Sequence, residues 1–195
     1  MRTIISLIML PLALFAMHFT EEDVEIILLG DGYLRVEADY TYILQGDCAK
    51  AIPVLYPVPV DSAMGVPDSI AAVFEGDTIV PPPFIADSAR AWATTMFALP
   101  QRPLREADDC EATWHIGYRQ PLASHHARYI VTTLQLWSRA IDVADFSIRY
   151  PADFEGIYIS YAPDSRETLD GEVLARFHFE NWMPTRDFVI EWRGR

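Results

Sequence analysis

Lysine and asparagine are almost missing from this 195-residue chain: Lys50 and Asn181 stand alone, and the other fourteen basic residues are arginines. Acidic residues outnumber basic ones 28 to 15, for a formal net charge of −13. A surface that acidic repels nucleic-acid phosphate and anionic lipid, which removes both from the expected partners. The arginine bias has two readings: base composition of a GC-rich genome, or selection for bidentate arginine contacts.

Catalytic signatures are missing as well. The sequence holds no G-x-S-x-G elbow, no P-loop, no dinucleotide fingerprint, no H-E-x-x-H and no C-x-x-C. No helix-period stretch stands out beyond the N-terminal segment; residues 87–94 and 138–143 each have room for one helical turn. Cysteine is scarce, with Cys48 and Cys110 in polar surroundings far apart in the chain. That spacing does not suit a redox pair. In an oxidising compartment the two are expected to form a disulfide, worth roughly 4 kcal/mol in the chain-entropy model.

Export is what the first residues suggest. Arg2 precedes an apolar run over 4–15, broken only by Ser6 and Pro11, and the small residues Ala13 and Ala16 follow the pattern of a signal-peptidase site. Residues 1–18 read as a secretory signal, cut near Ala16, and 19–195 as a single domain. An uncleaved anchor or a first strand is the alternative. No second apolar span follows, so no membrane-spanning segment is expected in the mature chain. The expected location is extracytoplasmic: periplasm, cell surface or medium.

The rest of the chain has the period of strands. Leu34, Val36, Ala38, Tyr40, Tyr42 and Leu44 alternate with Arg35, Glu37, Asp39 and Thr41. Gly30-Asp31-Gly32 supplies a reversal before them, and residues 23–29 form the first arm of a hairpin, apolar enough to be covered on both faces. In "AIPVLYPVPV" the prolines at 53, 57 and 59 share one parity. Their missing N–H groups fall along one side, which predicts an edge strand. Further strands are expected at 70–74, 78–80, 92–99, 111–120, 128–137, 143–150, 156–163, 173–180 and 186–192. The sum is an all-β fold: a two-layer antiparallel β-sandwich, immunoglobulin-like or jelly-roll-like, of about ten strands with little helix. A closed barrel is the structural alternative.

Several residue groups merit testing for chemistry. His115, His178 and the adjacent pair His125-His126 are the possible metal ligands, yet they lack ligand spacing and read as solvated strand and loop residues. Glu37 and Asp39 share a strand face about 7 Å apart, a separation that inverting glycosidases use and that acidic strands also show. Asp108 and Asp109 in a polar loop, or Asp31 and Asp77 in turns, are possible calcium ligands, but no EF-hand loop is present. Ser124 next to His125 is not by itself a triad. No cofactor and no metal are expected. Trp114, Trp137 and Trp182 are either core residues or a platform for sugar rings or a partner protein.

The ending "FHFENWMPTRDFVIEW", together with "VLYPVP" and "RYIVTTLQLWSRAIDVADFSIRYP", resembles bacterial exported β-sandwich proteins known only as domains of unknown function. The resemblance implies an extracytoplasmic sandwich and carries no catalytic residue. The expected role is therefore a non-catalytic one, binding or structural, at the envelope or surface, with a protein or surface polymer as partner. The alternative is a secreted carbohydrate-active or other hydrolase module that uses carboxylates on acidic strand faces.

Overall fold

The computed structural model describes residues 17–45, 51–74, 76–87, 89–100, 102–103, 109–137 and 139–194. Among them lie fifteen strands and one 3₁₀ turn, so the fold is all-β with more strands than expected.

The opening hairpin is the centre of the molecule. β1 (Met17–Leu29) pairs antiparallel with β2 (Tyr33–Gln45) through the turn at 30–32. Gly32 sits there at φ +85°, a conformation that strains any residue with a Cβ. Leu34, Val36, Ala38 and Tyr42 are buried while Arg35 and Asp39 are exposed, the alternation read from the sequence. β1 extends six residues further toward the N-terminus than the expected 23–29, so Met17 and His18 belong to the sheet. The rest of the expected signal segment lies outside the described residues.

Strands add on both sides of this hairpin. β9 (Asp109–Pro121) pairs with β2, and β4 (Ser69–Phe74), β5 (Asp77–Ile79) and the short β8 (Arg102–Pro103) complete that flank. On the other flank β1 pairs with β11 (Ile141–Pro151), followed by β14 (Glu172–Trp182) and β13 (Ser165–Leu169). The resulting nine-stranded sheet runs β13-β14-β11-β1-β2-β9-β4-β5, with β8 on β9. Its β1–β11 pair is parallel, which departs from an all-antiparallel sandwich. A parallel neighbour requires a long crossover, and the chain makes it by building much of the second layer before returning. Ile26, Ile27 and Leu28 are buried on both faces of β1, as suits a central strand.

The second layer is split in two. β3 (Ile52–Pro59), β7 (Trp92–Leu99) and β6 (Ile85–Asp87) form one small sheet, in the order β3-β7-β6. β10 (His126–Tyr129), β15 (Phe188–Glu191) and β12 (Tyr158–Ile159) form the other, in the order β10-β15-β12. The first lies over β2 and β9, where the Tyr56 ring meets Tyr40 and Tyr118 at 6.2 and 6.1 Å. The second lies over β11 and β14, where Phe188 meets Phe146 and Phe177 at 4.5 and 5.3 Å. One continuous apolar core fills the space beneath both. β3 is an edge strand, as its prolines predict, and its edge faces β10 across a seam.

Three expectations fail locally. Residues 128–137 are not one strand: β10 ends at Tyr129, and Thr132–Trp137 is a 3₁₀ turn. The Asp187 carboxylate accepts the N–H groups of Val131 and Thr132 and the Thr132 hydroxyl, at 3.2, 3.1 and 2.7 Å. That capping satisfies the turn's first donors from a residue far along the chain. The strand expected at 156–163 shrinks to Tyr158–Ile159, and β13 occupies a stretch read as loop.

Candidate functional site

Where the two small sheets part, they leave a cavity of about 80 Å³ against β1 and β2. A β-bulge shapes its floor. The β1–β2 register shifts between Phe19 and Glu21, and the Thr20 hydroxyl bonds the Thr41 carbonyl at 3.1 Å. The extra residue changes the parity of β1, so Phe19 and Glu22 both line the cavity although they are three apart. Tyr40, directly opposite Glu22 on β2, and Tyr42 continue the floor. β3 supplies one wall through Tyr56 and the mouth residues Leu55 and Pro57, with Leu55 66% exposed. Tyr129 and the capped turn, with Thr133 and Leu134, form the other wall.

Three tyrosine hydroxyls meet inside. Tyr40 bonds Tyr56 at 3.1 Å and also bonds Tyr129 closely, and the Tyr129 hydroxyl donates to Glu22 Oε1 at 3.3 Å. Glu22 is only 6% exposed. Burial raises its pKa from 4.5 to about 7, against the smaller opposing effect of the Tyr129 hydrogen bond. Burial also raises the phenol pKa values: Tyr56 to about 12, and Tyr40 and Tyr129 well above their ordinary value. The tyrosines therefore stay neutral, and Glu22 is the one group here that titrates near neutrality. Among the described residues, none that lines this cavity is basic.

The opposite, outer face of the large sheet carries the exposed charge. Strand register sets His178, Asp145, Asp23, Asp39 and His115 in one row across β14, β11, β1, β2 and β9. His115 bonds Asp39 and Glu37 at 3.1 Å each, and His178 bonds Asp145 at 2.7 Å. Glu37 folds over Gly117, where a Cβ would approach its Oε2 to 2.5 Å. The hydrogen bond and charge of Asp145 raise the His178 pKa, whereas desolvation and then Asp145, Asp39 and Glu25 raise that of Asp23.

No protein-family model and no curated protein matches the sequence. Solved structures do match. A Legionella pneumophila protein, provisionally described as nutrient binding, superposes with a TM-score of 0.61 at 11% identity, over 92% of this chain and 68% of its own. An M1 zinc metallopeptidase from Deinococcus radiodurans superposes with a TM-score of 0.47 at 12% identity, over 90% of this chain and 42% of the enzyme. A mutant of that enzyme gives 0.48 at 13% identity, again over 42% of its length. The likeness to the Legionella protein is one of fold.

Trp114 and Trp182 lie apart in the large sheet and do not share a platform. Trp114 is 1% exposed with its ring 5.8 Å from Phe74, so it is a core residue. Its buried indole N–H has no hydrogen-bond partner among the described residues. Trp182 stacks on Phe179 at 4.3 Å on β14, four strands away from β9, and the side chain of Trp137 lies outside the described residues. Cys110 is fully buried and is not a free thiol; Cys48, the other half of the expected bridge, lies outside the described residues. Asp108 and the side chain of Asp109 also lie outside them, while Asp31 pairs with Arg119 at 3.0 Å.

The remaining candidates are held apart. His115 and His178 end a five-strand row and stand roughly 19 Å apart by strand spacing, so one ion does not reach both. Glu37 and Asp39 share the His115 imidazole on the open sheet face. Ser124 and His125 line a separate recess of about 230 Å³ near the 30–32 turn, whose lining residues include no carboxylate. Sequence reading missed Glu22. Its signal was present: it shares parity with Val24, Ile26 and Leu28, so a charged residue stood on the inward side of β1.

Proposed function

We propose that this chain is an exported, non-catalytic binding protein of the envelope or surface that holds a small ligand in the seam between β3 and β10. The observation that carries the reading is a buried carboxylate, Glu22, facing an aromatic-lined cavity with no basic residue among the described residues of its lining. A fold does not tolerate such a group without cost, and a buried acid with a raised pKa facing a pocket is a candidate binding group. The fold shared with the Legionella protein supports a binding role. The cavity's size suits a few non-hydrogen atoms, either a small molecule or one protruding group of a larger partner.

Filling the cavity tests the reading. Thr133→Trp places an indole at the wall formed by the 3₁₀ turn. Compounds found by thermal-shift screening to raise the Tm of the wild type should leave this variant unmoved. Equal shifts in both proteins would place binding elsewhere.

Export and the Cys48–Cys110 bridge belong to the same proposal. Protein secreted by a bacterial host should begin just after Ala16. In denaturant without reductant it should take up no iodoacetamide, and after reduction it should take up two equivalents. Two reactive thiols before reduction would remove the bridge.

A further inference from the structure

We propose that the cavity beneath β3 receives the head of a small organic ammonium ion. This rests on the reading of the seam as a ligand site and assigns the ligand's chemical class.

Two features coincide there. Aromatic rings from Phe19, Tyr40, Tyr42, Tyr56 and Tyr129 line the cavity. Aromatic faces attract cations, and they do so best where water is excluded. Glu22 supplies the matching anion. Only Tyr129 bonds it among the described residues, and the other titratable groups close to it are the neutral phenols of Tyr40 and Tyr56.

A buried carboxylate normally either pairs with a cation or takes up a proton. Among the described residues the lining offers no cation, so a bound ammonium would complete the pair. The phenol oxygens of the tyrosine trio are acceptors for its remaining N–H groups. A neutral ligand has no use for an acid in this position, since the three hydroxyls already supply donors and acceptors. The net charge of −13 also raises the local concentration of cations at low ionic strength. At about 80 Å³ the cavity admits an alkylammonium head, and a longer tail leaves past the exposed Leu55.

Ethylammonium chloride and 1-propanol, similar in size but one a cation and the other neutral, separate the possibilities. Each is titrated into the full protein at constant ionic strength, followed by NMR of ring-labelled tyrosines. Ethylammonium should bind at least tenfold more tightly than propanol at pH 8. It should weaken about tenfold or more between pH 8 and pH 5 as Glu22 takes up its proton, and it should be lost in Glu22→Gln. The wild-type pH profile keeps the test valid should that variant fold poorly. Propanol binding as tightly, or ethylammonium binding unchanged in Glu22→Gln, overturns the inference and leaves the cavity standing as a site for neutral ligands. Absence of any tyrosine shift with either compound also overturns it, and the seam reading is then decided by the Thr133→Trp comparison alone.

Discussion

Glu22 costs the folded protein stability, and the sign of that cost is fixed by where its proton sits. Its pKa is 4.5 in an open chain and about 7 when buried. Between those values the folded state holds a proton that the unfolded state has released. Stability is therefore full below about pH 4.5, falls as pH rises toward 7, and stays reduced above, by about 3 kcal/mol at most. Glu22→Gln removes the charge while keeping the shape. The variant should be more stable than wild type at pH 8, by on the order of 1–2 kcal/mol after allowance for the amide's own unmet hydrogen bonds, and nearly equal to it at pH 4.5. Urea unfolding at the two pH values measures this, and an equal gain at both would mean that the Glu22 pKa is the same in the folded and unfolded protein. A residue that lowers stability at neutral pH from the inward side of a central strand fits the trade of stability for function that the proposed binding role implies.

The seam depends on elements that come from distant parts of the chain. The 3₁₀ turn at 132–137 holds the cavity wall, and Asp187 holds the turn through three hydrogen bonds. Asp187→Ala should therefore lower stability by about 1–2 kcal/mol and speed amide exchange at Val131 and Thr132 before the large sheet is affected. Uniform exchange throughout would show that the turn is not separately held. This element also shows what a sequence does and does not disclose. The alternation in β2 and the proline parity in β3 are local patterns, and each gave its strand and its placement correctly. "TTLQLW" carries branched and apolar residues that favour a strand, but the decisive group is a carboxylate 55 residues away in the chain. β13 escaped notice because every one of its five residues is exposed, leaving no alternation to read. The cavity was the least legible part. It arises from a one-residue bulge and from a gap between two sheets, neither of which has a periodic signature, and only the inward parity of Glu22 hinted at it.

Charge on the outer face of the large sheet sets the pH response of the protein as a body. Asp23 lies between Asp145 and Asp39 in the row across five strands, with its pKa raised. His178 at the end of the row also has a raised pKa, through Asp145. Both therefore work in the same direction as Glu22: each group's stabilising contribution is complete below its unfolded pKa and is lost as pH rises through its folded one. For Asp23 that loss begins above 3.8, and for His178 above 6.5. His18 opposes them, since burial lowers its pKa and its contribution grows as pH rises toward 6.5. Three groups against one, on a chain of net charge −13, favour the acidic side, with stability falling as pH rises above about 4.5. Thermal unfolding between pH 4.5 and 8.5 should show Tm falling between about pH 4.5 and pH 7, where Glu22 releases its proton. Added salt should raise Tm at pH 8 more than at pH 5, because like-charge repulsion on the sheet is what it screens. Asp23→Asn should reduce the salt effect by breaking the central contact of the row, without changing the ligand-dependent shift read at the opposite face. A salt response equal at both pH values, or one untouched by Asp23→Asn, would mean that the row is too well solvated to govern stability, and would leave Glu22 as the main source of the pH dependence.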